Sequence, residues 1–454
     1  MASPSASIRR RHLLRVLVPL AVALLAGCTP SGEPQSGEPQ RGKPQSGKPQ
    51  PPRRELNVWT LDLAPRFSPY MRRVIAAWER RHPDVRVRWT DVPWSSVERK
   101  LLASVYARTA PDVVNLNPVF AASLASRGGL LDLATVLPAG AEQTYLPGIW
   151  AAGRQEGKQF AIPWYLTSRV SFANRQLLRQ AGLAAPPRLW REVPAYAEAV
   201  KRRTGRYALF VTAVPDDSAE LLESLVQMDV RLLDGRRRAA FDSPAGRAAF
   251  SFWSDLYRRG LLPREVVSQG YRRAIELYQA GDLAQVASGP DFLRNLQTNA
   301  PGIAAATFAA PPITGPGGAT NVAVMNLVVP GQSRLPREAV DFALFLSNAE
   351  NQLAFAEEAR VLPSARLALQ RLEARLRGAR TADPRQRLVE EARLLSLRTL
   401  ATGRVLVPAT PGLKRLQTIL YTQLQRAMLG EMDSQSALRQ AAREWNRYAA
   451  ARWP

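Results

Sequence analysis

The sequence predicts an α/β fold spread over two or three lobes, and three observations carry that prediction. Segments with an apolar residue at every second position alternate with segments whose apolar residues recur at helical spacing, the pattern of a largely parallel sheet covered on both faces by helices. Of the 454 residues, about 400 remain after an export segment and a tether, a length that fills two or three domains of roughly 150 residues. The hydrophobic share is 46%, ample for a buried core, and aromatic and branched residues recur throughout the main body.

The elements follow in order. Ile8 to Arg15 form a basic segment and Val16 to Ala26 an apolar run too short to span a bilayer, so residues 1–27 read as a removable signal. Leu25-Ala26-Gly27-Cys28 comes next and resembles the lipobox of bacterial lipoproteins, which implies that the thiol of Cys28 is acylated and that cleavage makes it the new N-terminus. Arg10-Arg11-His12-Leu13-Leu14-Arg15 also resembles a twin-arginine export motif, with Arg9 where Ser or Thr is usual, so two export routes stay open. Residues 28–54 read as a linker. It carries four five-residue repeats of the type Ser-Gly-Glu-Pro-Gln over 31–50, with proline at every fifth position and nothing apolar to pack. As a flexible coil it reaches roughly 25 to 30 Å from the membrane.

In the body, Leu56-Asn57-Val58-Trp59 alternates as a strand, and Ser68-Pro69 opens a helix with Met71, Val74, Ile75 and Trp78 inward. His82-Pro83 ends it, and Val85, Val87 and Trp89 form a second strand. Ser95-Ser96-Val97-Glu98 has the spacing of a capping box ahead of a helix that turns Val97, Leu101, Leu102 and Val105 inward. Pro111-Asp112-Val113-Val114 begins a third strand. At the far end, Leu416, Ile419, Leu420, Leu424, Leu438, Trp445 and Tyr448 read as packing positions of a helical tail.

Counts of reactive residues narrow the chemistry. Once His12 leaves with the signal, His82 is the single histidine, and Cys28 is the only thiol. Zinc sites built from several His and Cys ligands and disulfides within the chain are excluded, and a nucleophilic triad would have to recruit His82 beside Pro83. No cofactor motif is present. Gly153 to Gln159 has Gln159 where a phosphate loop needs a hydroxyl, and Gly315-Pro316-Gly317-Gly318 lacks the lysine. The formal charge of +24 is dispersed, with no run longer than Arg236 to Arg238, which reads as a solvated surface and not as a nucleic-acid site.

In a parallel sheet the ligand crevice lies beyond the carboxyl ends of the strands. Those ends carry Trp59, Thr60 and Asp62, then Asp91 and Trp94, then Asn115 and Asn117. An indole lies flat against the C–H face of a sugar ring while Asp or Asn engages neighbouring hydroxyls. The competing reading makes the indoles packing residues and the polar groups caps.

Several ordered stretches carry a family resemblance. Ala110-Pro111-Asp112-Val113-Val114 precedes Gly128-Gly129-Leu130-Leu131-Asp132-Leu133, then Gly157-Lys158-Gln159-Phe160-Ala161-Ile162-Pro163-Trp164-Tyr165, then Phe172-Ala173-Asn174-Arg175 with Gly182-Leu183, Pro186-Pro187 and Leu189-Trp190. With Leu277 to Ala287 and Arg337 to Phe355, the series resembles the sugar-binding type of bacterial extracellular solute-binding proteins, the capture components of ABC importers, over roughly residues 55–450. The family's usual tyrosine before Ala173 and threonine before Trp190 are absent, and Phe292 stands near the position of a stacking tryptophan.

That resemblance implies a two-lobe periplasmic-binding-protein-like fold with an inter-lobe ligand cleft and a hinge. Lobe 1 would comprise 55–165 plus 311–362 and lobe 2 would comprise 166–310 plus 363–454. It implies a carbohydrate or polyol ligand, permease subunits as partners, an extracytoplasmic location anchored through Cys28, a monomer, and neither enzyme activity nor a cofactor. The expected ligand residues are Trp59, Asp62, Trp94, Asn115, Asn117, Trp164, Tyr165, Asp217 and Asp291. Three alternatives stay open: an anionic sugar held by guanidinium groups such as Arg169, an acidic envelope polymer on the basic surface, and a glycosidase using Asp216, Asp217, Glu220 or Asp291.

Overall fold

The computed structural model describes residues 53–453 apart from 216, 408 and 409. The export segment, Cys28 and nearly all of the linker lie outside the described residues.

The chain first builds β1 (Arg54–Leu61), β2 (Val85–Val92) and β3 (Val113–Leu116), with β1 paired in parallel to both others. Leu56 and Val58 are fully buried, as the alternation requires. A short hairpin of β4 (Arg154–Gln155) and β5 (Lys158–Gln159) precedes β6 (Ile162–Ser168). A single residue, Arg169, separates β6 from β7 (Val170–Asn174), which belongs to a different sheet. There β7 is flanked by β8 (Gln285–Ser288) and β9 (Thr307–Ala310), all antiparallel.

From β9 the chain returns through residues 311–319 to β10 (Thr320–Val328), which runs antiparallel between β3 and β6. With β11 (Leu362–Pro363) beside β6 and β12 (Gly403–Arg404) parallel to the start of β10, the large sheet has seven strands. The sheet is therefore mixed: its β2–β1–β3 portion and the short β10–β12 pair match the expected parallel arrangement, and the pairings of β10 with β3 and β6 and of β6 with β11 do not. Local alternation reports strands and helices, but the direction of β10 depends on a return from residues two hundred positions away.

Separate hydrophobic cores form around the two sheets. Val170, Phe172 and Val286 pack with Trp253 and with the C-terminal helices Leu413–Met428 and Ser434–Arg452, where Leu416, Ile419, Leu420, Leu424, Leu438 and Trp445 are buried and Tyr448 sits at the edge. Leu56, Val58 and Trp78 fill one face of the large sheet, while Val114, Leu116 and Phe120 fill the other. Residues of helix Arg366–Gly378 pack beside β6, β10 and β11, so the chain stays with the large sheet beyond 362, and Leu388, Val389 and Ala392 of helix Pro384–Thr399 join the small sheet's core.

Helix starts differ in detail from the sequence reading. Phe67, not Ser68, is the N-cap of helix Ser68–Glu79, and no side chain caps it. The Ser96 hydroxyl donates to the Pro93 carbonyl at 3.2 Å, so the expected capping box does not form. Leu102 is 43% exposed instead of inward, since Val97 and Leu101 alone complete the buried stripe of their short helix.

Candidate functional site

A cavity of about 290 Å³ lies where the two sheets meet. Its walls are the end of β6 (Thr167, Ser168), the start of β10 (Thr320, Asn321), parts of β7 and β8, and the first turns of helix Glu220–Gln227. β6 runs parallel to β3, because both are antiparallel to β10, so the cavity opens at the carboxyl edge where a crevice is expected.

Arg169 is central. As the lone residue between β6 and β7 its backbone is fixed by a strand on each side, and its guanidinium reaches Glu223 Oε2 at 3.0 Å and Ser218 Oγ at 3.5 Å. The other Glu223 oxygen accepts from Asn321 Nδ2 at 2.7 Å, and Asn321 Oδ1 accepts from the Leu406 amide. One carboxylate is thus held jointly by the connector and by the returning strand. Burial works against the Arg169 charge, but Glu223 and Glu220 more than offset it and hold the guanidinium above its usual range.

Glu220 lies one helical turn before Glu223. Burial pushes its carboxyl up to about 7, with Arg169 pulling down and Glu223 pushing up. Asp291 also lines the cavity, and partial desolvation raises its carboxyl against the pull of its own and Phe292's backbone amides and of Arg360. Aromatic surface comes from Tyr271, whose ring lies 6.0 Å from the Arg169 guanidinium and whose hydroxyl donates to Ala287, and from Trp190, whose Nε1 donates to Gln227 at 2.8 Å. The buried Gln285 Oε1 has no protein partner. The site combines two aromatic surfaces with a charge pair and several hydroxyl and amide groups, a lining suited to hydroxyl-rich solutes.

Residues 63–353 match the family described as bacterial extracellular solute-binding protein. The chain belongs to that family. It is a solute-binding component of an ABC transporter, from a family of binding proteins and not of enzymes, and the family's location is extracytoplasmic. A crystal structure from Synechococcus sp. MITs9220, proposed to be an oligosaccharide periplasmic-binding protein, is 64% identical, with a TM-score of 0.85 over 88% of this chain and 100% of that one. That protein has also been crystallised with zinc; among the described residues here, no group of three or more His, Cys, Asp and Glu is placed to hold a metal. The GacH receptor of Streptomyces glaucescens, solved with acarbose, shares the fold at 21% identity and a TM-score of 0.70, covering 87% of this chain and 98% of that one. The mannitol-binding protein of Pseudomonas aeruginosa is 23% identical over 47% of this chain and 50% of its own length. Among the described residues, no helix is long and apolar enough to cross a membrane.

Of the ligand residues expected for this solute-binding protein, Asp291 alone lines the cavity. Trp164 is fully buried and stacks on Phe355 at 5.0 Å, and Tyr165 packs edge-on against it, so both rings serve the large sheet's core. Phe292 is likewise buried, against Phe172. Asn115 is buried with its Nδ2 donating to the Asn326 carbonyl, and Asn117 caps helix Pro118–Ala125 by accepting from the Phe120 amide. Asp62 turns the chain out of β1 with φ of 49°, a conformation Asp tolerates, and accepts from the Trp94 amide at 2.8 Å. Trp94 is 41% exposed, and Trp59 is half-buried with Lys100 over its ring. Asp217 is exposed and accepts from the Tyr271 amide at 2.6 Å, which fixes the start of the helix carrying Tyr271.

Glu223, Tyr271, Asn321 and Trp190 were not singled out as ligand residues by the sequence. A trace existed in Arg169, a charge interrupting the run from Phe160 to Ala173, and in Glu220 and Glu223, three apart on one helix face. Acids in a first helical turn ordinarily complement the helix dipole, which hid their role.

Proposed function

We propose that this protein captures a neutral carbohydrate or polyol in the cavity between the two sheets and presents it, with the lobes closed, to a membrane permease. The observation that carries the reading is the Arg169–Glu223–Asn321 arrangement. Its charges are mutually satisfied, so it offers oriented hydrogen-bond groups to hydroxyls instead of a free cation to an anion. That speaks against the Arg169 version of an anionic ligand. The volume sits near the lower end of ligand pockets, roughly 300–1,000 Å³, which favours one or two sugar rings. The acarbose and mannitol of the similar proteins belong to the same polyhydroxy class.

In this reading the bodies around the two sheets are the lobes, and Arg169, residues 311–319 and the segments on either side of helix Pro384–Thr399 form the hinge. The protein acts as a monomer tethered through an acylated Cys28. Thermal unfolding of the full chain against monosaccharides, disaccharides and polyols, at low and high salt, tests capture. A saturating ligand at 100 times its dissociation constant adds roughly 2.7 kcal/mol. A selective rise that salt leaves unchanged supports the reading, and no rise across a broad panel sinks it. Mass spectrometry of the protein from its membrane tests acylation at Cys28, and an unmodified thiol removes the anchor.

A further inference from the structure

Next to the cavity, Arg360 and Arg393 come together on neighbouring helices, and the charge of Arg294 acts on Arg360. Arg360 closes helix Ala349–Ala359, which packs on the large sheet, and it does so with φ of 60°, a position that normally takes glycine. Arg294 stands on helix Phe292–Asn299, whose Phe292 and Leu293 belong to the small sheet's core. Arg393 is carried by helix Pro384–Thr399, and its Nη2 donates to the Ala356 carbonyl at 3.0 Å. Arg360 feels both other guanidinium groups, and burial together with that repulsion draws its proton affinity below the usual range.

Their charge is poorly matched. Arg360 Nη1 and Arg393 Nε are buried without a hydrogen-bond partner. Asp291 is the carboxylate acting on Arg360 and Glu390 the one acting on Arg393, but Glu390 already accepts from Gln386, and Arg375 adds further repulsion from its own pairing with Glu357. Buried polar groups are almost always satisfied, and an uncompensated buried charge is strongly destabilising. Water would satisfy the donors and leave the charge in place. An oxyanion answers both, since guanidinium groups match carboxylate, sulfate and phosphate oxygens in pairs. Asp291, whose charge acts on Arg360, also lines the cavity, so the cluster and the cavity are neighbours.

We propose that Arg360, Arg393 and Arg294 form an oxyanion-binding site at the junction of the two cores, filled by a carboxylate, sulfate or phosphate group. The group is either the acidic substituent of a captured sugar, a version that rests on capture in the cavity above and replaces its neutral sugar with an acidic one, or a free inorganic anion.

Unfolding midpoints of the full chain decide it, with sodium sulfate added at millimolar concentration and ionic strength balanced by chloride. The expected result is a saturable rise in the wild type and an apparent affinity about tenfold or more weaker in Arg360→Gln, the loss of one charge-assisted hydrogen bond. Should Arg360→Gln fail to unfold cooperatively in chloride, Arg294→Gln takes its place. A non-saturating response, or one equal in wild type and variant, overturns the site. Glucuronate and glucose then separate the sources. A glucuronate advantage of about tenfold that disappears in the variant assigns the anion to the sugar, and a sulfate response without that advantage assigns a free anion. If sulfate binds and no sugar does, capture fails and the anion site stands. If glucose binds while sulfate and glucuronate add nothing to it, the anion site alone fails.

Discussion

Arg169 joins two roles in one residue, since its backbone bridges two sheets and its side chain neutralises a cavity carboxylate. Arg169→Ala leaves Glu223 and Glu220 facing each other without a cation. Breaking a fully buried pair costs about 3–5 kcal/mol. The Arg169 side chain keeps 35% exposure, so roughly 1–3 kcal/mol is expected, read from urea midpoints. Glu220 supplies a pH signature of known sign. Its folded value of about 7 lies above the unfolded carboxylate value, so the folded state binds the extra proton. Its contribution to stability is therefore complete below the unfolded value and is lost as pH rises through 7. Unfolding between pH 4.5 and 8 should show the wild type falling relative to Glu220→Gln by on the order of 1–3 kcal/mol. Parallel curves would remove Glu220 as the titrating group.

At the scale of elements, strands were legible from the sequence and their service was not. The β1 and β2 segments appear where alternation places them, because a buried face every second residue is a local property, and β3, buried at every position, follows Pro111-Asp112 as expected. Whether Trp164 faces a ligand or Phe355 is decided by a helix nearly two hundred residues later. Trp164→Ala should therefore cost roughly 3–5 kcal/mol in denaturant unfolding, the loss of a core aromatic. A near-neutral result would return the ring to the cleft. Gly315 gives a second check. A Cβ there would come within 1.6 Å of the Gln227 carbonyl oxygen, so Gly315→Ala must push the 311–319 connector off helix Glu220–Gln227 and strain the Gln227–Ala319 hydrogen bond. A loss of roughly 1–3 kcal/mol is expected, and unchanged melting would show that the connector yields freely.

For the molecule as a whole, the order of motifs carried the family and the two-lobe plan, whereas the cavity fell outside it. The motifs report packing shared across the fold, and the cavity is assembled from residues as far apart as Arg169, Glu223 and Asn321. Outside the cavity, Arg237 meets Glu156 of the β4–β5 hairpin at 3.2 Å. With side chains 39% and 64% exposed, the pair is worth at most about 1 kcal/mol, too little to hold two lobes together alone. Small-angle scattering should show the radius of gyration falling when a bound sugar is added to the full chain, at low and at high salt alike. A contraction lost at high salt would assign closure to surface ion pairs such as this one.

The place of β10 between β3 and β6 bears on how the chain comes into being. On the ribosome, β3 and β6 are complete more than 150 residues before the strand that separates them exists. Until residue 328 has emerged, each presents an unpaired, apolar edge of the kind that recruits other chains. Closing that gap requires contacts distant in sequence, which form slowly. A product truncated before Thr320 therefore keeps an open seam through its main sheet, an edge prone to pair with other chains.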